Sequence, residues 1–102
     1  MTGSGAVIAQ VRVLVVEDDR NLGDEVAAGL RAAGFAVDLA RHYADADLKI
    51  AVNSYDCLVV DRGLPDGDGL DLVRAQRESG QRTPVVMLTA RDVLADRLDG
   101  FA

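Results

Sequence analysis

Asp56-Cys57-Leu58-Val59-Val60-Asp61-Arg62-Gly63-Leu64-Pro65-Asp66-Gly67-Asp68-Gly69 is the stretch whose reading decides the fold. The unbroken apolar run from Cys57 to Val60 has strand length and no alternation, the pattern of a strand buried on both faces. It stops at a carboxylate, Asp61. The glycines and proline that follow suit neither a helix nor a strand interior, so an irregular loop is expected there. An acidic side chain therefore stands at the carboxyl end of a buried strand. In open α/β sheets that edge is where ligands bind.

Upstream, Val11 to Val16 is a β-branched run that reads as a first strand and ends in Glu17-Asp18-Asp19. Asn21 to Ala33 carries Leu22, Val26, Gly29/Leu30 and Ala33 at helical spacing, with Asp19 as N-cap and Gly34 as the residue after the C-cap. Phe35 to Ala40 is a short second strand. His42 to Asn53 is a second helix, expected to turn Ala44, Leu48, Ala51 and Val52 inward and Asp45, Asp47 and Lys49 outward. Downstream of the loop, Leu70 to Ser79 is a third helix closed by Gly80, and Pro84 to Leu88 is a fourth strand. Thr89-Ala90 is a turn, and Asp92 caps a fourth helix running toward Gly100. Met1 to Gln10 reads as a flexible leader before a domain over 11–102.

This alternation predicts an α/β fold of the flavodoxin-like kind, a doubly wound parallel sheet in the order 2-1-3-4 with right-handed crossovers. In that order the ends of strands one, three and four share one edge. Glu17, Asp18 and Asp61 then crowd into a cleft that Thr89 also faces. Like charges at close range are costly unless a cation neutralises them or one of them keeps its proton. A hard divalent ion such as Mg2+ answers this with oxygen ligands.

Composition narrows the function classes. The chain has 102 residues, 49% of them hydrophobic, enough for one domain with its own core. A net charge of −6 argues against a nucleic-acid surface in these residues. No apolar run is long enough to span a membrane. The single cysteine, Cys57, cannot form an internal disulfide and fits a reducing cytoplasm. Ten of the eleven basic residues are Arg; the exception is Lys49.

Three motifs together carry a resemblance: Val13-Leu14-Val15-Val16-Glu17-Asp18-Asp19; Tyr55-Asp56-Cys57-Leu58-Val59-Val60-Asp61 with Leu64-Pro65 and Gly69; and Pro84-Val85-Val86-Met87-Leu88-Thr89-Ala90-Arg91. In this order and with these gaps, Val11 to Ala102 resembles a response-regulator receiver domain of two-component signalling. Arg91-Asp92 and Asp96-Arg97-Leu98-Asp99-Gly100-Phe101 resemble the subfamily whose receivers precede a winged-helix DNA-binding domain. The resemblance implies a phosphoaccepting switch rather than a turnover enzyme. Asp61 would take a phosphoryl group from a sensor histidine kinase. Asp18 and Asp61 would ligate Mg2+ directly, Glu17 through water and Gly63 through its backbone carbonyl. The Thr89 hydroxyl and Ala90 N–H would hold the phosphoryl oxygens and bias a two-state switch. DNA would be reached only through an output domain that none of these residues forms.

Complete family members also carry a fifth strand and helix, a lysine followed by proline at the end of that strand, and an aromatic switch residue within it. None of these occurs here, and Lys49 on the second helix cannot substitute. The expectation is a receiver that stops before its fifth βα unit, with slower transfer to Asp61. Its open fourth strand and fourth helix would invite self-association. The alternative is a pseudo-receiver acting by protein contact or oligomerisation without efficient phosphorylation. Two other classes fit less well. A haloacid-dehalogenase-type phosphatase wants a second Asp where Gly63 stands. A flavodoxin wants a phosphate loop where Glu17-Asp18-Asp19 would repel phosphate. Arg62, beside Asp61, is expected either to steer phosphodonors or, the preferred reading, to be solvated. Asp66 and Asp68 are expected to be solvated, His42 a surface residue, Cys57 and Tyr55 packing residues, and Gly67 and Gly69 a matter of loop geometry.

Overall fold

The computed structural model describes residues 10–88. Its elements run β1 (Arg12–Val16), α1 (Arg20–Ala32), β2 (Ala36–Ala40), α2 (Tyr43–Val52), β3 (Cys57–Asp61), β4 (Gly63–Leu64), β5 (Gly67–Asp68), α3 (Gly69–Glu78) and β6 (Val85–Leu88). Four strands form one sheet in the order β2-β1-β3-β6, all neighbours parallel. This is the flavodoxin-like order 2-1-3-4, with β6 as the expected fourth strand. The loop after Asp61 is more regular than expected: β4 and β5 make a small antiparallel hairpin pairing Gly63 with Asp68 and Leu64 with Gly67. The leader over residues 1–9, Thr89, Ala90 and the fourth helix lie outside the described residues.

Period-two alternation along the central strands divides the core into two layers. Leu14, Val16, Leu58 and Val60 point to the face where Ala46 of α2 and Leu72 of α3 pack. Val13, Val15, Val37 and Val59 point to the other face, against Ala27, Val26 and Leu30 of α1. Each fully buried leucine contributes about 1.5–3 kcal/mol through removal of apolar surface from water.

The helix ends follow local chemistry. Asp19 caps α1 by accepting from the Leu22 N–H at 3.0 Å. Gly34 and Gly80 end α1 and α3 at φ of 100° and 91°, the left-handed region in which a side chain is strained.

The expected inward face of α2 is wrong. Leu48 is 64% and Val52 71% exposed, while Ala46 is fully buried and Tyr43 and Ile50 pack on the core. Ala44 and Ala51 are exposed as well. The short helix carries apolar residues on more than one side, so spacing alone did not select the buried face. Lys49, expected outward, is half-buried and pairs with Asp45 at 2.8 Å. On α1 the deepest residues are the small ones, Gly23 and Ala27, because close helix–sheet approach leaves no room for more.

At the entrance of the strands, Tyr55 donates its hydroxyl to Asp38 Oδ2 at 2.6 Å, and Arg12 pairs with the same oxygen at 3.1 Å. The Arg12 guanidinium also lies 5.3 Å from the centre of the Tyr55 ring. Tyr55 thus packs at the strand entrance and ties β1, β2 and β3 into one register.

Candidate functional site: an acidic cleft at the carboxyl edge

β1 and β3 are neighbours in register, Val16 opposite Val60, so the residues that follow these strands meet at one edge. One carboxylate oxygen from each of Glu17, Asp18 and Asp61 lies within 4.8 Å of the other two. Glu17 is 1% and Asp61 7% exposed, unusual burial for charged side chains. The Glu17 N–H extends the sheet by donating to the Ala40 carbonyl at 2.9 Å, and Glu17 Oε2 accepts from the Asp19 N–H at 3.0 Å. Asp61 Oδ1 accepts from the Gly63 N–H at 3.3 Å. Asp18 Oδ1 is buried without a hydrogen-bond partner.

The electrostatics follow from this crowding. Burial pushes the Glu17 carboxyl up to about 7, and the neighbouring Asp61 and Asp18 carboxylates add to the rise against the opposing bond from Asp19. Hard oxygen donors, partly desolvated and with a buried lone oxygen on Asp18, fit a small divalent cation such as Mg2+. A divalent cation held among these oxygens would offset the charge of the crowded carboxylates.

The structure therefore brings together Glu17, Asp18 and Asp61, and sets Gly63 two residues beyond Asp61 with its N–H on that carboxylate. Thr89 and Ala90 follow β6, whose last described residue, Leu88, pairs with Asp61; their own placement lies outside the described residues.

Several roles were not legible in the sequence. Asp66, expected to be solvated, accepts from the backbone N–H groups of Tyr43 at 2.6 Å and Ala44 at 3.0 Å, capping α2 from a distant loop. These bonds hold its carboxyl below the usual range. His42 occupies the N-cap position itself, its Nδ1 accepting from the Asp45 N–H at 3.3 Å. Asp68, also expected to be solvated, caps α3 through the Leu70 N–H at 2.9 Å and pairs with Arg62 at 3.4 Å. Arg62 is thus exposed but tethered. Gly67 and Gly69 do not take left-handed conformations. They permit close approach: a β-carbon on Gly67 would meet the Tyr43 ring at 2.9 Å. A β-carbon on Gly23 would meet the Arg41 guanidinium at 2.7 Å and Glu17 Cβ at 3.5 Å. Arg41 lies over the first turn of α1, paired with Asp24 at 2.7 Å.

A parallel sheet with an acidic cleft at the β1/β3 switch point defines a class, and comparison with known proteins agrees. Residues 13–102 match the response regulator receiver domain family. The chain is 44% identical over 91 residues to the response regulator protein PmrA of Pseudomonas aeruginosa, covering 89% of this chain and 41% of that protein. It is 48% identical over 91 residues to the transcriptional regulatory protein CutR of Streptomyces coelicolor, covering 89% of this chain and 42% of that one. Among solved structures, the receiver domain of Francisella response regulator 1452 superposes with a TM-score of 0.78 at 28% identity, over 90% of this chain and 76% of that one. The non-phosphorylated HemR receiver domain of Leptospira biflexa gives 0.75 at 34% identity, over 90% and 74%. The chain belongs to the response-regulator receiver domain family. It spans about two fifths of the length of the curated relatives it matches. Among the described residues no helix is long and apolar enough to cross a membrane.

Proposed function

We propose that this receiver accepts a phosphoryl group on Asp61 from the phosphohistidine of a sensor histidine kinase. The observation that carries the reading is the convergence of Glu17, Asp18 and Asp61 within 4.8 Å at the ends of two adjacent strands. The Asp61 carboxylate oxygen attacks phosphorus, the P–N bond to imidazole breaks, and the departing imidazole takes up a proton from solvent. The product is an aspartyl phosphate. Asp18, Asp61 and the Gly63 carbonyl would hold Mg2+, with Glu17 acting through water. When bound, the ion offsets the charge of nucleophile and phosphoryl oxygens in an in-line transfer. The buried walls of β1 and β3 hold the three carboxylates before any donor arrives, and the Gly63 N–H orients Asp61. Thr89 and Ala90 are the residues we assign to the phosphoryl oxygens afterwards.

On this reading the module is a cytoplasmic switch rather than a turnover enzyme. The names of its relatives, transcriptional regulators among them, support an output on DNA through a separate domain. Incubation with Mg2+ and acetyl phosphate is the direct test. The expected result is an acid-stable, base-labile adduct of one phosphoryl group, absent in Asp61→Asn. An adduct of equal yield in Asp61→Asn overturns the assignment.

A second reading, contact between copies, rests on Val86. It is 55% exposed on β6, the outer strand of the described sheet, beside Val59 on the face that α1 covers over β1 and β2. We propose self-association along this strand. Sedimentation is expected to show a concentration-dependent mass that Val86→Lys reduces; a strictly monomeric wild-type chain at high concentration removes the idea.

A further inference from the structure

The loop that leaves Asp61 is strung between the N-termini of two helices. At its far end Asp68 caps α3, as capping residues ordinarily do from within their own segment. At its tip Asp66 reaches a different helix. The first amides of α2 have no intrahelical acceptor. Asp66 takes those of Tyr43 and Ala44, one with each carboxylate oxygen, at 2.6 and 3.0 Å, and His42 takes the next, that of Asp45. The same tip is pressed on α2 by Gly67 against the Tyr43 ring. Between tip and acceptor lies the hairpin, with Leu64 buried in the core, Gly63 paired with Asp68, and the Gly63 N–H on the Asp61 carboxylate. Gly63 has no side chain and stands exposed, so its position is set by the neighbours that clamp the hairpin.

We infer that Asp66 is a positioning residue for the phosphoacceptor site: by clipping the hairpin tip to the N-terminus of α2 it holds the Gly63 peptide beside Asp61, where the Gly63 carbonyl would complete the Mg2+ ligand set. The inference rests on the proposed metal site but concerns Asp66, which is assigned to neither metal nor phosphoryl group. Two geometric features support it. The clip is bidentate, so it fixes the orientation of the loop as well as its distance. And the connection from clip to Gly63 runs through a two-residue ladder, a stiffer link than an open loop of the same length.

The test is Mg2+ titration of the chain, followed by calorimetry and by backbone amide resonances. Asp66→Ala is expected to weaken Mg2+ binding by about tenfold, the low end of what partners of metal ligands contribute. Asp66→Asn, which keeps one acceptor oxygen, is expected to recover part of the loss. Without Mg2+, the Gly63 amide resonance is expected to move in Asp66→Ala. A residue that merely caps α2 would move the Tyr43 and Ala44 amides and leave Gly63 and the Mg2+ affinity unchanged. That pattern overturns the inference. If Asp66→Ala does not fold, Gly67→Ala replaces it, since its methyl group drives the tip off Tyr43 while Asp66 is kept. Weaker Mg2+ binding in Gly67→Ala supports the clip, and unchanged binding overturns it. The two ideas fail separately: a wild-type chain that ignores Mg2+ removes the metal site, while the metal-free Gly63 resonance still decides the clip.

Discussion

Gly69, the first residue of α3, lies against the main chain of Asp61 so closely that a β-carbon there would collide with the Asp61 carbonyl oxygen and stand 2.7 Å from Val60 Cγ1. The start of a helix and the end of the acceptor strand thus occupy one another's space, and only the absence of a side chain makes this possible. Gly69 also donates its N–H to the Arg62 carbonyl at 3.0 Å, closing the hairpin behind Asp61.

Gly69→Ala should therefore displace backbone rather than a yielding side chain. The expected cost is about 1–3 kcal/mol or more, the range for overpacking a filled interior, and Mg2+ affinity should fall with it. Urea unfolding and a Mg2+ titration measure the two effects. A fully stable Gly69→Ala chain with wild-type affinity would contradict the geometry.

Glu17 should make the metal-free protein sensitive to pH. Its carboxyl is raised from 4.5 to about 7, so the folded state keeps a proton that the unfolded chain has already released over that interval. The stabilisation from this proton is fully present below about 4.5 and is lost as pH rises through about 7. In EDTA, the melting temperature should fall between pH 5 and pH 7.5 by more than the other carboxylates explain. Glu17→Gln, which cannot ionise, should flatten that part of the profile. An identical slope in both proteins would assign the dependence elsewhere.

Tyr55 behaves in a related way at the other edge of the sheet. Burial, the hydrogen bond to Asp38 and the charge of Asp38 raise its phenol above the ordinary value of 10.0. Folding stability that depends on this proton is complete below pH 10 and is lost as pH rises beyond it. Tyr55→Phe should remove a bond to a carboxylate and cost about 1–2 kcal/mol near neutral pH. Chemical denaturation of Tyr55→Phe, Asp38→Asn and the double variant measures the coupling; additive losses would show that the bond contributes nothing of its own.

Leu72 packs α3 on the sheet and is almost wholly buried among Leu14, Leu58 and Val60. Leu72→Ala should cost about 2–5 kcal/mol, as buried leucines do when a cavity remains. The exposed Leu48 of α2 offers the contrast, since Leu48→Ala should change stability by less than about 0.5 kcal/mol. Thermal unfolding of the pair checks both; equal losses would place α2 the other way round.

The strands, their order and the three acidic residues were legible in the sequence. Apolar runs of β-branched residues specify buried strands locally, and a carboxylate placed directly after such a run must emerge at its carboxyl edge. Asp19, Gly34 and Gly80 were legible as helix ends for the same reason, because capping chemistry acts within a few residues. What the sequence could not determine involves residues far apart in the chain. Asp66 stands more than twenty positions from the α2 amides it caps, and nothing local distinguishes it from a solvated loop carboxylate. The buried face of α2 was decided by where the sheet and α3 left room, since Ala44, Leu48, Ala51 and Val52 are as apolar as the residues that did turn inward. The glycines make the same point. Gly34 and Gly80 are required by local backbone conformation, whereas Gly67 and Gly69 are required by a tyrosine ring and a carbonyl brought against them only when the chain has folded. Local chemistry therefore determined that Asp61 would be a carboxylate at a strand end. The tertiary structure decided what surrounds it, because burial, charge crowding and the clamp on its loop exist only between elements distant in sequence.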